Sequence, residues 1–115
     1  MSLSKKQQRF TVCISQLITY ADSKGYGLTL GDAYRDPRLH GGFGTKSSYS
    51  AAKSVHKIRL ALDMNLFVDG EWIVNSDHKA WLDLGEYWES LDSDARWGGW
   101  FHDGNHFSFE HWGCE

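Results

Sequence analysis

The fold is decided by the stretch Ile58-Arg59-Leu60-Ala61-Leu62-Asp63-Met64-Asn65-Leu66-Phe67-Val68. Every second residue from Ile58 to Val68 is apolar, and the residues between them are mostly polar or small, with Phe67 as the exception. A period of two with one apolar face is typical of an antiparallel strand that packs one face on a core. Asp63 is therefore expected on the open face. The turn Asp69-Gly70 predicts a hairpin, from which Glu71-Trp72-Ile73-Val74 returns as a second strand.

Helical patterns flank this hairpin on both sides. Ser4 to Lys24 has apolar residues at helical spacing, with Ser2 or Ser4 as the N-cap and Gly25 as the left-handed residue at its end. A second helix is expected from a cap at Ser76 or Asp77 to about Ser90, with a short strand at 28–30 before the hairpin. The apolar stripes are Phe10, Cys13, Ile14, Leu17 and Ala21 in the first helix, and Trp81, Leu84, Tyr87, Trp88 and Leu91 in the second. These elements predict an α+β fold, a small antiparallel sheet packed on helices.

Length and composition narrow the class of protein. A chain of 115 residues is expected to form one domain, 1–115, and its six tryptophans are expected mostly in the core. The net charge of −3 gives no reason to expect a nucleic-acid partner. Cys13 and Cys114 fit neither a disulfide framework nor a thiolate zinc site, which favours synthesis in a reducing compartment. The polar, mixed N-terminal stretch predicts neither a signal peptide nor membrane insertion.

Two histidines and a carboxylate are expected to meet on the open face of the sheet. A last strand is predicted from about Asn105 to Glu110, with His106 on the face opposite Phe107 and Phe109. If this strand lies beside the first, His106 and Asp63 share a face. His56 is seven residues before Asp63, so it must precede the strand or be followed by a bulge, and we favour the first. Two imidazoles, one carboxylate and an open position form the ligand set of a catalytic zinc site, and Asp103 is then free to act as a general base.

Each of these residues also has an ordinary interpretation. Asp63 could keep an edge strand soluble, and Asp103 could be only the first residue of an Asp-Gly turn. Arg35 could pair with Asp32 or Asp36 at the surface. The remaining histidines fit packing or surface positions. His102 and His106 are four residues apart, which is the spacing of a helical zinc site, but Gly104 and Asn105 between them disfavour a helix. Those remaining histidines are His40, His78, His102 and His111. Residues 36–48 are expected to form a loop and residues 47–53 a short helical turn.

The motifs resemble those of the M15 family of zinc peptidases, which shares its fold with the Hedgehog signalling domain. They are Ser54-Val55-His56, then Asp63 in Leu62-Asp63-Met64-Asn65-Leu66-Phe67, then Trp97-Gly98-Gly99, and finally Asp103-Gly104-Asn105-His106. The resemblance implies zinc ligands at His56, Asp63 and His106. It also implies a catalytic carboxylate at Asp103, a catalytic or substrate-binding arginine at Arg35 and a supporting or substrate-binding Ser54. Many members have glycine where this chain has Arg59, a cation that could narrow the cleft or bind substrate.

The function that the resemblance implies is zinc-dependent hydrolysis of a peptide bond in the peptidoglycan stem peptide. The bond is L-alanyl-D-glutamate in compact phage endolysins and D-Ala-D-Ala in cellular carboxypeptidases, and both remain open. A monomer that is made in the cytoplasm and reaches the wall after release, as for a phage endolysin, is the expected setting. The alternatives are an inactive zinc-stabilised module that binds the cell wall or a partner, and a periplasmic or phage-structure-associated peptidase.

Overall fold

A computed structural model describes residues 2–34, 55–113 and 115. It confirms the α+β class, because the described residues form two helices and a five-stranded antiparallel sheet. The helices are α1 (Leu3–Ser23) and α2 (Lys79–Leu91). The strands are β1 (Gly27–Leu30), β2 (Ala61–Val68), β3 (Glu71–Ile73), β4 (Ala95–Trp97) and β5 (His106–Phe109). Two 3₁₀ turns, Val55–Ile58 and Gly98–Phe101, precede β2 and follow β4. The loop and helical turn expected within residues 36–53 lie outside the described residues.

Strand β2 organises the sheet, since it pairs with β1, β3 and β5, and β5 pairs in turn with β4. The hairpin between β2 and β3 is confirmed, with positive φ angles of 52° at Asp69 and 79° at Gly70. Positive φ at both central residues is the signature of the two-residue turn that matches strand twist. β2 begins at Ala61 rather than Ile58, because Val55–Ile58 is a 3₁₀ turn and Arg59 has a φ of 58°.

The helix ends are partly as expected. Ser2 caps α1 by accepting a hydrogen bond from Lys5 N at 3.2 Å, and Gly25 has the expected positive φ of 78°. The expectation that Ser76 or Asp77 caps α2 is wrong. His78 is the cap, because its Nδ1 accepts a hydrogen bond from Ala80 N at 3.0 Å. The Ser76 hydroxyl instead accepts from Gly104 N at 2.9 Å, which holds the turn before β5.

The core lies between the apolar faces of the two helices and the sheet. Trp88 at its centre is fully buried, and its indole N–H lies 3.1 Å from both the Arg96 and the Ser108 carbonyl oxygens. The expectation that tryptophans are mostly core residues holds for only half of them: Trp81, Trp88 and Trp97 are buried, whereas Trp72, Trp100 and Trp112 are exposed. Other buried side chains are Phe10, Cys13, Leu17 and Ala21 from α1, Leu84 from α2, Leu60, Met64 and Leu66 from the β2 region, and Phe107 and Phe109 from β5.

Two further expectations need correction. β4 was not foreseen, because a strand of only three residues, Ala95–Trp97, has too short a pattern to detect. Ser108 is fully buried although it lies on the polar side of β5, so that face is not open along its whole length. In the part of the chain that the structure describes, neither helix is long and apolar enough to cross a membrane.

Candidate metal centre

His56 comes to the site from the 3₁₀ turn before β2, as favoured over a bulge. Its side chain is buried, with 1% of its surface exposed. Its Nδ1 lies 2.7 Å from the carbonyl oxygen of Ala33, just after β1. A carbonyl oxygen only accepts, so Nδ1 carries the hydrogen and the lone pair of the neutral ring is on Nε2. That Nε2 lies 3.3 Å from Asp63 Oδ1.

Asp63 and His106 occupy directly paired positions of β2 and β5. This pairing confirms that the two strands are neighbours and that the side chains of Asp63 and His106 lie side by side on one face of the sheet. His106 Nδ1 lies 3.1 Å from the same Asp63 Oδ1, and His106 Nε2 lies 3.2 Å from the backbone oxygen of Glu115. The contact with Glu115 puts the ring hydrogen of neutral His106 on Nε2 and leaves the lone pair on Nδ1.

The three side chains therefore offer one ligand atom each to a common point. One atom from each of His56, Asp63 and His106 lies within 4.8 Å of the other two. The residues fit a divalent metal such as zinc, because both imidazoles turn a lone-pair nitrogen inward while backbone oxygens hold their other nitrogens. Backbone or carboxylate acceptors on the far nitrogen are the usual support of a metal-binding histidine.

The electrostatics of this group favour a charged carboxylate beside the two rings. Burial alone would raise the pKa of Asp63. When no metal is bound and the two rings are protonated, His106 Nδ1 and His56 Nε2 donate hydrogen bonds to its Oδ1, and these bonds and the charge of the rings hold the pKa of Asp63 well below its usual range. Burial alone would lower the pKa of His106. The hydrogen bond and charge of Asp63 outweigh burial, and the Asp103 charge and the Glu115 oxygen add to them, so the pKa of His106 is raised.

Asp103 lies one turn before His106, at the edge of this group. Its backbone N–H donates to Gly98 O at 3.0 Å, and its own carbonyl accepts from His106 N at 3.1 Å. Its side chain is exposed, and its charge reaches His106. An exposed carboxylate next to a metal ligand can exchange a proton with a bound substrate or water.

Gly98 was not singled out from the sequence as a site residue, yet it sets the position of this turn. A Cβ added there would overlap the backbone oxygen of Asp103 and would lie 2.9 Å from His106 Cβ. Only a residue without a side chain allows this approach. The backbone oxygens of Ala33 and Glu115 were also missed, because any residue type can supply such a contact and the sequence carries no signal for it.

The other candidate residues have different places. Arg35, Ser54 and His40 lie outside the described residues. The Arg59 guanidinium carbon lies 3.9 Å from the centre of the Tyr34 ring, so the cation stacks on that ring.

Among the described residues, His78, His102 and His111 do not join the metal group. His78 caps α2, as described above. His111 Nδ1 lies 3.5 Å from Lys6 Nζ, and His102 is exposed at the end of the second 3₁₀ turn. Neither contributes an atom to the candidate centre, so the ordinary interpretation of these three holds.

One comparison with known proteins bears on this site. A model of a peptidase M15 family, described as D-alanyl-D-alanine carboxypeptidase, matches residues 48–109, which is more than half of the chain. The match includes all three members of the metal group and Asp103. None of the curated proteins matches the sequence.

Proposed function

The chain belongs to the peptidase M15 family, and on that premise we propose that it is a zinc-dependent peptidase acting on the stem peptide of peptidoglycan. One observation supports this proposal most directly. The ligand atoms of His56, Asp63 and His106 lie close together, and the exposed residue Asp103 lies in the turn three residues before His106. Three protein ligands with an adjacent carboxylate are typical of a catalytic rather than a structural zinc site.

In this proposal, His56 Nε2, an Asp63 oxygen and His106 Nδ1 hold the zinc. The bound metal supplies a Lewis acid that polarises a carbonyl group and acidifies water. Asp103 accepts the proton of the attacking water on its carboxylate and passes it to the leaving amine. The Ala33 and Glu115 oxygens keep both rings in the tautomer that ligation requires.

The roles of Arg35 and Ser54 are carried over from the family resemblance. Arg35 holds the developing oxyanion or a substrate carboxylate, since its fork of donors suits either group. Ser54 touches the substrate or orients His56 from two residues away. We further propose one domain and a monomer, with an endolysin-like setting and phage origin in which the enzyme reaches the wall after release. The scissile bond is L-alanyl-D-glutamate or D-Ala-D-Ala.

The variant Asp103→Ala tests the catalytic role. We expect zinc content to stay at about one ion per chain, because Asp103 is not a ligand. Lysis of chloroform-treated Gram-negative cells should fall by at least a factor of about 100, as expected for loss of a general base. Asp22→Ala, which removes an exposed carboxylate from the end of α1, is the matched control and should keep wild-type activity. Full lytic activity in Asp103→Ala would remove this residue from the mechanism.

Two outcomes separate the main proposal from the alternative of an inactive zinc-stabilised module. An active peptidase releases new amino termini from purified peptidoglycan, and mass spectrometry of the digest identifies the bond that is cut. A module that only binds the wall would show zinc-dependent melting with no released peptide. The exposed Asp103 favours the first, since a structural zinc site has no need of an unligated carboxylate beside it.

A further inference from the structure

The indole of Trp97 lies against the turn that carries Asp103. Trp97 is the last residue of β4, and its side chain is buried. Its Nε1 donates a hydrogen bond to the carbonyl oxygen of Gly104 at 2.7 Å, at the short end of the usual range. Gly104 directly follows Asp103 and is also buried, so its carbonyl oxygen would be costly to leave without a donor. The indole therefore holds the main chain one residue beyond Asp103.

Two glycines make room for the Trp97 ring. Gly85 lies inside α2 and Gly99 lies in the second 3₁₀ turn, and a Cβ added at either one would overlap the ring. Glycine inside a helix lowers stability relative to alanine, so the close approach of the ring is the physical reason for Gly85. Because the ring packs directly on both glycines, it has little room to shift, and its N–H keeps one direction.

Glu89 of α2 holds the main chain of the same tryptophan. Its Oε2 accepts a hydrogen bond from Trp97 N at 2.9 Å, and both of its carboxylate oxygens lie 3.1 Å from Trp100 Nε1. Hydrogen bonds to an ionised carboxylate are about twice as strong as those between neutral groups. Glu89 therefore fixes the start of the segment 97–104, and the Trp97 indole joins that start to its end at Gly104.

The place of the Asp103 carboxylate depends on this segment. The side chain of Asp103 is exposed, and its backbone N–H donates to the oxygen of Gly98, the residue after Trp97. Since the main chain of the segment carries the carboxylate, a movement of the segment moves the carboxylate relative to His106. A misplacement of about 1 Å can lower the rate of an enzymatic reaction by a factor of about 100.

We propose that Trp97, held by Glu89, is a positioning residue that sets the place of the Asp103 carboxylate beside the metal group. The inference rests on the proposed function and gives the Trp97-Gly98-Gly99 motif a role in it. An indole N–H is only a donor, so Trp97 is not itself a metal ligand. His106 is held independently by the pairing of its strand with β2. Loss of the indole N–H should therefore slow the chemical step and leave the affinities for zinc and substrate nearly unchanged.

The variant Trp97→Phe tests this role, because it keeps an aromatic ring and removes the N–H. Kinetics are measured with soluble muropeptides and the zinc-loaded full chain. We expect kcat to fall by a factor of about 10 to 100, with KM and the zinc dissociation constant within about twofold of the wild type. The matched control is Trp88→Phe, which removes a buried indole N–H that lies 3.1 Å from the Arg96 and Ser108 carbonyl oxygens. It should melt at a lower temperature and keep wild-type kcat.

A second pair of variants makes the test independent of the Trp97 ring. Glu89→Gln keeps the shape of the side chain and removes its charge, whereas Glu86→Gln removes the charge of an exposed glutamate on the same helix. We expect kcat to fall by about threefold to tenfold in Glu89→Gln, the effect of one charge-assisted hydrogen bond, and to stay unchanged in Glu86→Gln. Wild-type kcat in both Trp97→Phe and Glu89→Gln, or an equal fall of kcat in Trp88→Phe and Trp97→Phe, would overturn the positioning role.

Amide hydrogen exchange of the metal-free protein gives a readout that does not depend on catalysis. The Asp103 N–H should exchange at least about tenfold faster in Trp97→Phe than in the wild type, and at the wild-type rate in Trp88→Phe, because only the first variant loosens the turn. An unchanged rate in Trp97→Phe would contradict the proposal. If the wild-type chain cleaves no peptide, the proposed function fails, whereas the exchange rates still decide whether Trp97 holds the turn that carries Asp103.

Discussion

At the scale of single residues, two residues near the site have a left-handed backbone conformation, which residues other than glycine rarely adopt. Arg59, three residues after His56, has a φ of 58°, and His102, next to Asp103, has a φ of 64°. A left-handed conformation costs a residue with a Cβ roughly 1–2 kcal/mol, and such residues cluster at functional sites. Glycine would adopt the φ of position 59 without this cost, because it has no Cβ.

Two substitutions at Arg59 separate backbone strain from the stacking on Tyr34. Arg59→Ala loses the stack and keeps the left-handed strain, whereas Arg59→Gly loses the stack and relieves the strain. We expect the glycine variant to be more stable than the alanine variant by about 1 kcal/mol, measured as the free energy of unfolding in urea. An alanine variant as stable as the glycine variant would show that position 59 is not strained.

Gly98 is the second residue on which the geometry of the site depends, because there is no room for a Cβ atom at this position. In Gly98→Ala the new methyl group must displace the Asp103 carbonyl or the His106 side chain. We expect a loss of about 1–3 kcal/mol in the free energy of unfolding and weaker zinc binding, because both site residues shift. The control is Gly27→Ala in β1, where a Cβ would meet its nearest atom at an ordinary 3.5 Å. Equal zinc affinity in the two variants would contradict the role given to Gly98.

At the scale of elements, side-chain pairs tie α1 and the segment after it to α2. Tyr20 of α1 and Tyr87 of α2 stack with ring centres 4.0 Å apart. Tyr26, between α1 and β1, donates its hydroxyl to Asp83 of α2 at 2.6 Å. This hydrogen bond raises the pKa of Tyr26 from about 10 to about 12, with smaller effects of burial and the charge of Asp83, and it lowers the pKa of Asp83. These pairs hold the two helices against each other under the sheet.

The Tyr26 hydrogen bond predicts a pH-dependent contribution to stability. The folded pKa of Tyr26 lies above the unfolded value, so the contribution is complete below about pH 10 and is lost as the pH rises towards 12. The lowered pKa of Asp83 means that it is also lost in strong acid. Tyr26→Phe should therefore cost about 0.5–1 kcal/mol at pH 7 and progressively less above pH 10, by urea unfolding across that range. Tyr20→Phe, which keeps the ring stack, is the control; a cost for Tyr26→Phe that is constant with pH would refute the assignment.

At the scale of the whole molecule, the metal group joins three separate parts of the chain. His56 comes from the turn before β2, Asp63 from β2 and His106 from β5. The Ala33 oxygen after β1 and the Glu115 oxygen near the end of the chain hold the two rings from outside. A metal that binds this group binds the folded chain far better than the unfolded one, so metal binding and folding are coupled.

Zinc should therefore stabilise the whole fold against heat. At free zinc about 100 times its dissociation constant we expect a gain of about 2.7 kcal/mol, a rise on the order of 10 °C in the melting temperature, reversed by chelator. His106→Ala should lose this response, and His111→Ala, which removes a histidine outside the group, should retain it. A zinc-induced rise that survives His106→Ala would place the metal elsewhere in the protein.

The amino-acid sequence by itself determined several local features of the fold and indicated the family of the protein. The two-residue period around Asp63, the Asp69-Gly70 turn and the helical stripe beginning at Phe10 each follow from local steric and hydrophobic preferences, and the structure confirms all three. The motifs around His56 and His106 indicated the family, because the ligand set requires particular side chains at particular spacings.

Only the tertiary structure decided how these residues meet. The direct pairing of Asp63 with His106 depends on the register of two strands more than forty residues apart, which local pattern does not specify. The Ala33 and Glu115 oxygens act through the main chain, so no residue type marks them. Such features depend on long-range contacts, and only folding of the whole chain brings those contacts together.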